Sequence, residues 1–199
     1  MEALRAAPQS DLCLTGLQFI SQIGNTDAYR VGETKVPPPS GQIGRLLYRQ
    51  LRFTPSCVLV RRSKLVEVGG FELTAAPCED WDLWLRMEQA GVQFVTCPAP
   101  LTIYRVHSSN SSNQGQRMYE AEVRAFERRI APRLRPWMRP LYRQYALSGF
   151  LSGLAFVERE QGRPSLGIMV RSILRFPFGN LRRYKAVAHM LLKSAGWLR

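Results

Sequence analysis

The stretch Ala76-Pro77-Cys78-Glu79-Asp80-Trp81-Asp82-Leu83-Trp84-Leu85-Arg86 places three carboxylates and two indoles at the predicted start of one helix. A carboxylate there can act as a general base, ligate a cation, or cap the free N–H groups of the first turn. At about 100° per residue, Asp80, Trp84 and Met87 share the stripe expected to meet the body of the protein, while Asp82 shares the opposite side with Arg86 and Gln89. The spacing therefore predicts Asp82 as a solvated partner of Arg86, contributing roughly a few tenths of a kcal/mol. Glu79 and Asp80 remain open to both capping and chemistry. The inward direction of Asp80 beside Trp84 favours chemistry, because a carboxylate there needs a cavity, a cation or a substrate hydroxyl to offset its desolvation.

The elements that must position these acids follow from local signals. Residues 1–9 read as the tail of a helix with Met1, Leu4 and Ala7 on one side, followed by a short strand over Asp11 to Leu17. A polar turn (Gly24 to Asp27) and an extended stretch lead to Pro37-Pro38-Pro39-Ser40-Gly41, which excludes regular structure. Ile43 to Leu51 has helical spacing, and Ser56 to Val60 reads as a buried strand. Ser63 can cap a short helix that Gly69-Gly70 terminates. The acid-bearing helix should run to Ala90 and stop at Gly91. Val92 to Thr96 and Leu101 to Val106 read as two strands around Pro98 and Pro100. Ser108 to Gln116 is a polar connector, which sets a domain boundary between residues 113 and 114. Beyond it the pattern is helical, roughly 117–134, 139–160, 164–175 and 180–197.

Composition divides the 199 residues along the same line. Residues 1–113 carry a net charge of +1 and residues 114–199 one of +12, within a total of +13. With 45% hydrophobic residues the chain can bury a core and is not a disordered tail. No apolar run approaches the roughly 20 residues of a membrane span. Cys13, Cys57, Cys78 and Cys97 lack metal-ligand spacing and read as reduced, mostly buried thiols. On the last helix Leu181, Tyr184, Ala188, Leu191, Ala195 and Leu198 form one apolar stripe, expected to pack on the preceding helices. The other reading of that stripe lays it on an anionic bilayer surface. No DNA- or RNA-reading motif accompanies the basic charge, so nucleic acid is not an expected partner.

Four blocks in order, Phe53 to Arg62, Val68 to Glu72, Glu79 to Arg86 and Tyr104-Arg105-Val106-His107, resemble the second half of family 2 glycosyltransferases. The resemblance covers residues 1–113. It implies an α/β fold with a partial GT-A-like mixed sheet, followed by an all-α C-terminal extension. It further implies inverting transfer from a nucleotide-sugar donor to a glycan or lipid-linked acceptor, with Asp80 as base and Glu79 in support. Thr54, Pro55 and Ser56 fall at the family's acceptor side. Trp81 reads either as acceptor wall or as core, and Trp84 as core. His107 stands where some relatives contact a divalent cation or the diphosphate, and reads otherwise as an exposed histidine at a strand end; the implied cofactor, Mg²⁺ or Mn²⁺, is held in the family mainly by an Asp-x-Asp motif of the first half. A cytoplasmic location follows, with the inner face of the cytoplasmic membrane as a further expectation. The family's first half, with its Asp-x-Asp motif, has no counterpart here, since no Asp-x-Asp precedes residue 40. The chain is accordingly expected to be a fragment, inactive or poorly active by itself, and to expose an apolar sheet edge. The competing class is a non-enzymatic basic helical protein that binds a membrane or a partner on a glycosyltransferase-derived scaffold.

Overall fold

The computed structural model describes residues 2–22, 29–35, 41–42, 53–106 and 114–194. The chain divides into two compact units, Met1–Asn110 and Ser111–Arg199. The helix expected over Ile43 to Leu51 lies outside the described residues, as does His107.

The first unit is mixed α/β. Helix α1 (Glu2–Ala6) leads into the central strand β1 (Leu12–Gln22), whose Leu12, Cys13, Leu14 and Leu17 are buried. β1 pairs in parallel with β5 (Gln93–Val106) on one side. On the other it takes two antiparallel partners: β4 (Val58–Val60) along its first residues and β2 (Tyr29–Lys35) along its last. β3 (Gly41–Gln42) adds an antiparallel pair at the start of β5, giving five strands. A parallel β1–β5 pair needs a long crossover. That crossover contains the other strands and both α2 (Arg62–Glu67) and α3 (Glu79–Gln89).

Three local expectations change here. The two strands around Pro98 and Pro100 are one strand, β5. Its pairing with β1 moves from Thr15↔Cys97 to Leu17↔Thr102, so residues 98–101 bulge opposite Gly16 alone. Prolines are tolerated there because bulged residues owe no N–H to the ladder. Gly16 is required by the same bulge, since a Cβ on it would lie 2.8 Å from the Pro98 carbonyl oxygen. The buried strand expected from Ser56 shrinks to β4, preceded by a 3-10 turn over Pro55–Cys57, with Val58 and Val60 half-buried and Leu59 exposed; among the described residues β1 is its one partner. Ser63 lies inside α2 and does not cap it; Arg61 precedes the helix without a side-chain cap.

The glycine stops behave as read. Gly69 and Gly70 end α2 with φ of 82° and 65°, and Gly91 ends α3 with φ of 70°. Each closes with a bond from beyond the turn, Gly70 N–H to Leu65 O at 2.9 Å and Val92 N–H to Met87 O at 3.1 Å. At the bulge Leu101 is exposed, and beyond it so are Ile103 and, on β2, Val31.

The second unit is all helical. Helix α4 (Gly115–Ala125) continues into a π turn over Phe126–Ile130 and a 3-10 turn over Ala131–Arg133. Then come α5 (Arg139–Glu160), α6 (Leu166–Arg175) and α7 (Arg182–Ser194). Phe126 meets Phe150 edge-on at 6.5 Å, and Ala155, Met169 and Ala186 centre a cluster joined by Phe156, Ile168, Val187 and Met190. The face of α7 that packs is therefore the one carrying Arg183, Ala186, Val187 and Met190. The stripe expected to pack is turned outward: Leu181, Tyr184 and Leu191 are exposed, while Ala195 and Leu198 lie outside the described residues. The reason is Arg183, whose guanidinium donates inward to the Ser172, Phe176 and Asn180 carbonyls and so sets the rotation of the helix. Among the described residues no helix is long and apolar enough to cross a membrane.

Candidate functional site

The acids reach the start of α3 through tight turns. Glu72 accepts from the Thr74 hydroxyl at 2.8 Å and from Thr74 N–H at 3.3 Å, capping a 3-10 turn over Leu73–Ala75. Cys78 N–H donates to Ala75 O at 2.9 Å, and Cys78 O accepts from Asp82 N–H at 2.9 Å. The chain thus enters α3 with its first residues, Glu79 and Asp80, in the positive field of the free N–H groups.

The division of the three acids differs from the helical-wheel expectation. Asp82, expected on the solvent side, is 1% exposed. It accepts from Arg86 Nε at 2.8 Å. Arg86 also donates from Nη1 to the Val68 carbonyl and from Nη2 to Gly70 O, the latter at 2.6 Å. The loop after α2 therefore covers the very side of α3 that spacing assigned to water. A pair in that setting is worth much more to lose than an exposed one, about 3–5 kcal/mol if one partner is removed. Asp82 is thereby assigned to architecture.

Asp80 is half-buried, less enclosed than Asp82, and its Oδ1 accepts from Trp81 N–H at 2.6 Å. Glu79 is also half-buried, and its Oε2 is shut off from solvent without a hydrogen-bond partner among the described residues. A buried carboxylate oxygen in that condition is costly unless something else reaches it.

Trp81 is 2% exposed, so its ring is core and presents no open face for an acceptor. Trp84 is buried as expected; its Nε1 donates to Phe53 O at 3.2 Å, and its ring lies 4.9 Å from that of Phe53. This contact sets the segment Thr54-Pro55-Ser56 beside α3. From the sheet, Thr102 Oγ1 donates to Ser56 O at 2.8 Å and Thr15 Oγ1 to Cys57 O at 3.3 Å. Thr54 is half-buried, and Pro55 and Ser56 are exposed on a turn anchored from both sides.

Two of the four thiols are held away from nucleophilic chemistry. Burial pushes the Cys13 thiol up, with Cys97 adding to it, and burial likewise raises Cys57 despite a hydrogen bond from Thr102. Such thiols are poor nucleophiles near neutral pH. Among the described residues no group of three or more His, Cys, Asp or Glu side chains is placed to hold a metal ion. Sequence reasoning missed the Arg86 clamp on Val68 and Gly70. Its signal was the Gly69-Gly70 pair, whose positive φ turns the loop back under the guanidinium.

Comparison with family models, curated proteins and solved structures yields no match. The family resemblance therefore stands on the four sequence blocks alone.

Proposed function

We propose that the first unit is the acceptor side of an inverting, GT-A-like glycosyltransferase of family 2, with Asp80 as general base. The observation that carries this reading is Glu79 Oε2, buried with no hydrogen-bond partner among the described residues, next to the half-buried Asp80 at the start of a helix whose structural acid is already Asp82. Asp80, half-buried at the start of the helix, is the carboxylate of this pair that an incoming hydroxyl can reach. The acceptor O–H hydrogen-bonds to Asp80; its oxygen attacks the anomeric carbon from the side opposite the diphosphate, and the proton passes to the Asp80 carboxylate. The bond to the leaving oxygen breaks as the new one forms, its electron pair departs with the nucleoside diphosphate, and the configuration inverts. Glu79 supports Asp80 at the start of the helix, and the exposed turn Pro55-Ser56 borders the acceptor's approach.

The Mg²⁺ or Mn²⁺ implied by the resemblance would be held mainly by a donor-binding half that residues 1–199 do not contain. Glu79 and Asp80 alone do not make a cation site, so no step here passes through the metal. The test is sugar transfer from labelled nucleotide-sugars to hydroxyl acceptors, using this chain joined to any donor-binding segment found encoded in frame with it. Asp80→Asn should lower kcat by 10²-fold or more, on the order expected for loss of a general base, with unchanged folding and donor affinity. Near-normal turnover of Asp80→Asn would sink the assignment. The absence of a donor-binding segment upstream, with no transfer, would favour the non-enzymatic scaffold.

A further inference from the structure

We infer that the outward face of α7 and the corner joining it to α6 form a docking surface for an anionic membrane. α7 has two apolar faces, and the bundle uses one of them. Ala186, Val187 and Met190 pack against Ala155, Phe156, Ile168 and Met169. Opposite them Leu181, Tyr184, Leu191 and Leu192 are exposed. At the corner Phe178 is 89% exposed, with Leu174 at 76% and Leu181 at 74% on either side of it.

The corner is held in this form by polar contacts that a collapsed loop would lose. Phe176 takes the inner place, edge-on to Tyr145 at 5.3 Å. Arg183 donates to Phe176 O at 2.7 Å and Ser172 O at 2.9 Å, Tyr184 Oη donates to Pro177 O at 2.8 Å, and Asn180 Oδ1 accepts from Arg182 N–H at 2.9 Å. Gly179 lets the guanidinium pass, since a Cβ there would fall 2.1 Å from Arg183 Nη2. Phe178 is thus displayed by a built turn.

Charge selects the occupant. Residues 161–199 contain eight Lys and Arg and no Asp or Glu. Arg171, Arg175, Arg182 and Lys185 are exposed around the apolar corner. A second copy of the chain would bring two such segments together in repulsion, and a nucleic acid would have no use for exposed Leu174, Phe178 and Leu181. Anionic headgroups meet the cations while acyl chains receive the apolar side chains. This inference does not depend on the transferase reading.

The experiment is flotation of the full chain with vesicles of phosphatidylcholine alone and of phosphatidylcholine with phosphatidylserine. Binding is expected on the anionic vesicles, weakened by salt, and negligible on the neutral ones. Phe178→Ser with Leu181→Ser should reduce binding on the order of tenfold or more while circular dichroism stays unchanged, because both side chains are exposed. Arg182→Gln with Lys185→Gln should also weaken it on the order of tenfold. Equal binding to both vesicles, no binding to either, or full binding by the Phe178→Ser, Leu181→Ser variant would overturn the inference. So would sedimentation showing a dimer that this same variant dissolves.

Discussion

Each unit places one arginine across backbone carbonyls, Arg86 largely covered and Arg183 buried, and the two do it with different electrostatics. Arg86 ties the Val68–Gly70 loop to α3 and has Asp82 as counter-ion at 2.8 Å. Arg183, 2% exposed, ties the end of α6 to α7, and its described partners are neutral: the Ser148 and Ser172 hydroxyls and the carbonyls of Ser172, Phe176 and Asn180. The negative end of α6 supplies part of what a carboxylate supplies for Arg86. A guanidinium with five N–H donors can therefore be buried either by neutralisation or by satisfying its donors at a helix C-terminus. The first solution occupies one of three acids near the candidate site. The second leaves the unit's excess positive charge intact.

The comparison is broken most directly at Asp82. Asp82→Ala leaves Arg86 without its counter-ion and should cost about 3–5 kcal/mol, read as a lower urea midpoint in the fluorescence of buried Trp81 and Trp84. Asp82→Leu combined with Arg86→Met should recover much of that loss, giving a large coupling energy in the double-mutant cycle. A double variant as unstable as the single one would mean that the pair does not act as a unit. At Arg183 no counter-ion is stranded. Arg183→Met should cost less, about 2 kcal/mol from carbonyls and hydroxyls that lose their donor, measured in thermal melts of the helical signal. A larger cost than that of Asp82→Ala would reverse the ordering.

The smallest effect is expected at a third arginine pair, Arg163 with Glu158, which closes α5 with Nη2 to Oε1 at 2.7 Å. The hydrogen bond from Arg163 holds the Glu158 carboxyl below its ordinary value. Because the folded-state value is depressed, the stabilisation is fully present above the unfolded carboxylate pKa and is lost as pH falls through the folded one. The melting difference between wild type and Glu158→Gln should thus be small at neutral pH, screened by salt, and gone in acid. A difference that persists in acid would assign the contribution of Glu158 to packing.

Where a glycine ends a helix, the sequence was readable, whereas the cap expected at Ser63 was not formed. Gly91 after α3 and Gly69-Gly70 after α2 stop their helices because positive φ costs glycine nothing. The helices of the basic unit begin and end near their prolines and glycines. The pair Asp82–Arg86 was readable from i, i+4 spacing, and Trp84 from its place on the inner stripe. Other features depended on what lies across from a residue. Pro98 and Pro100 look like a strand break until Gly16 is seen to accommodate their bulge. Trp81 could have been wall or core, and the packing made it core.

By itself the sequence determined the helix stops at glycine, the uneven charge, the change from an α/β part to a helical one, and the placement of Glu79 and Asp80 at the start of α3. These depend on backbone preference and composition, which act over a few residues. Only the tertiary structure decided that Asp82 is buried, that Glu79 Oε2 is left without a partner among the described residues, and that α7 turns its Leu181 stripe outward. A helical wheel states which side chains share a side. Burial depends on which loop, strand or guanidinium covers that side, and those come from distant parts of the chain.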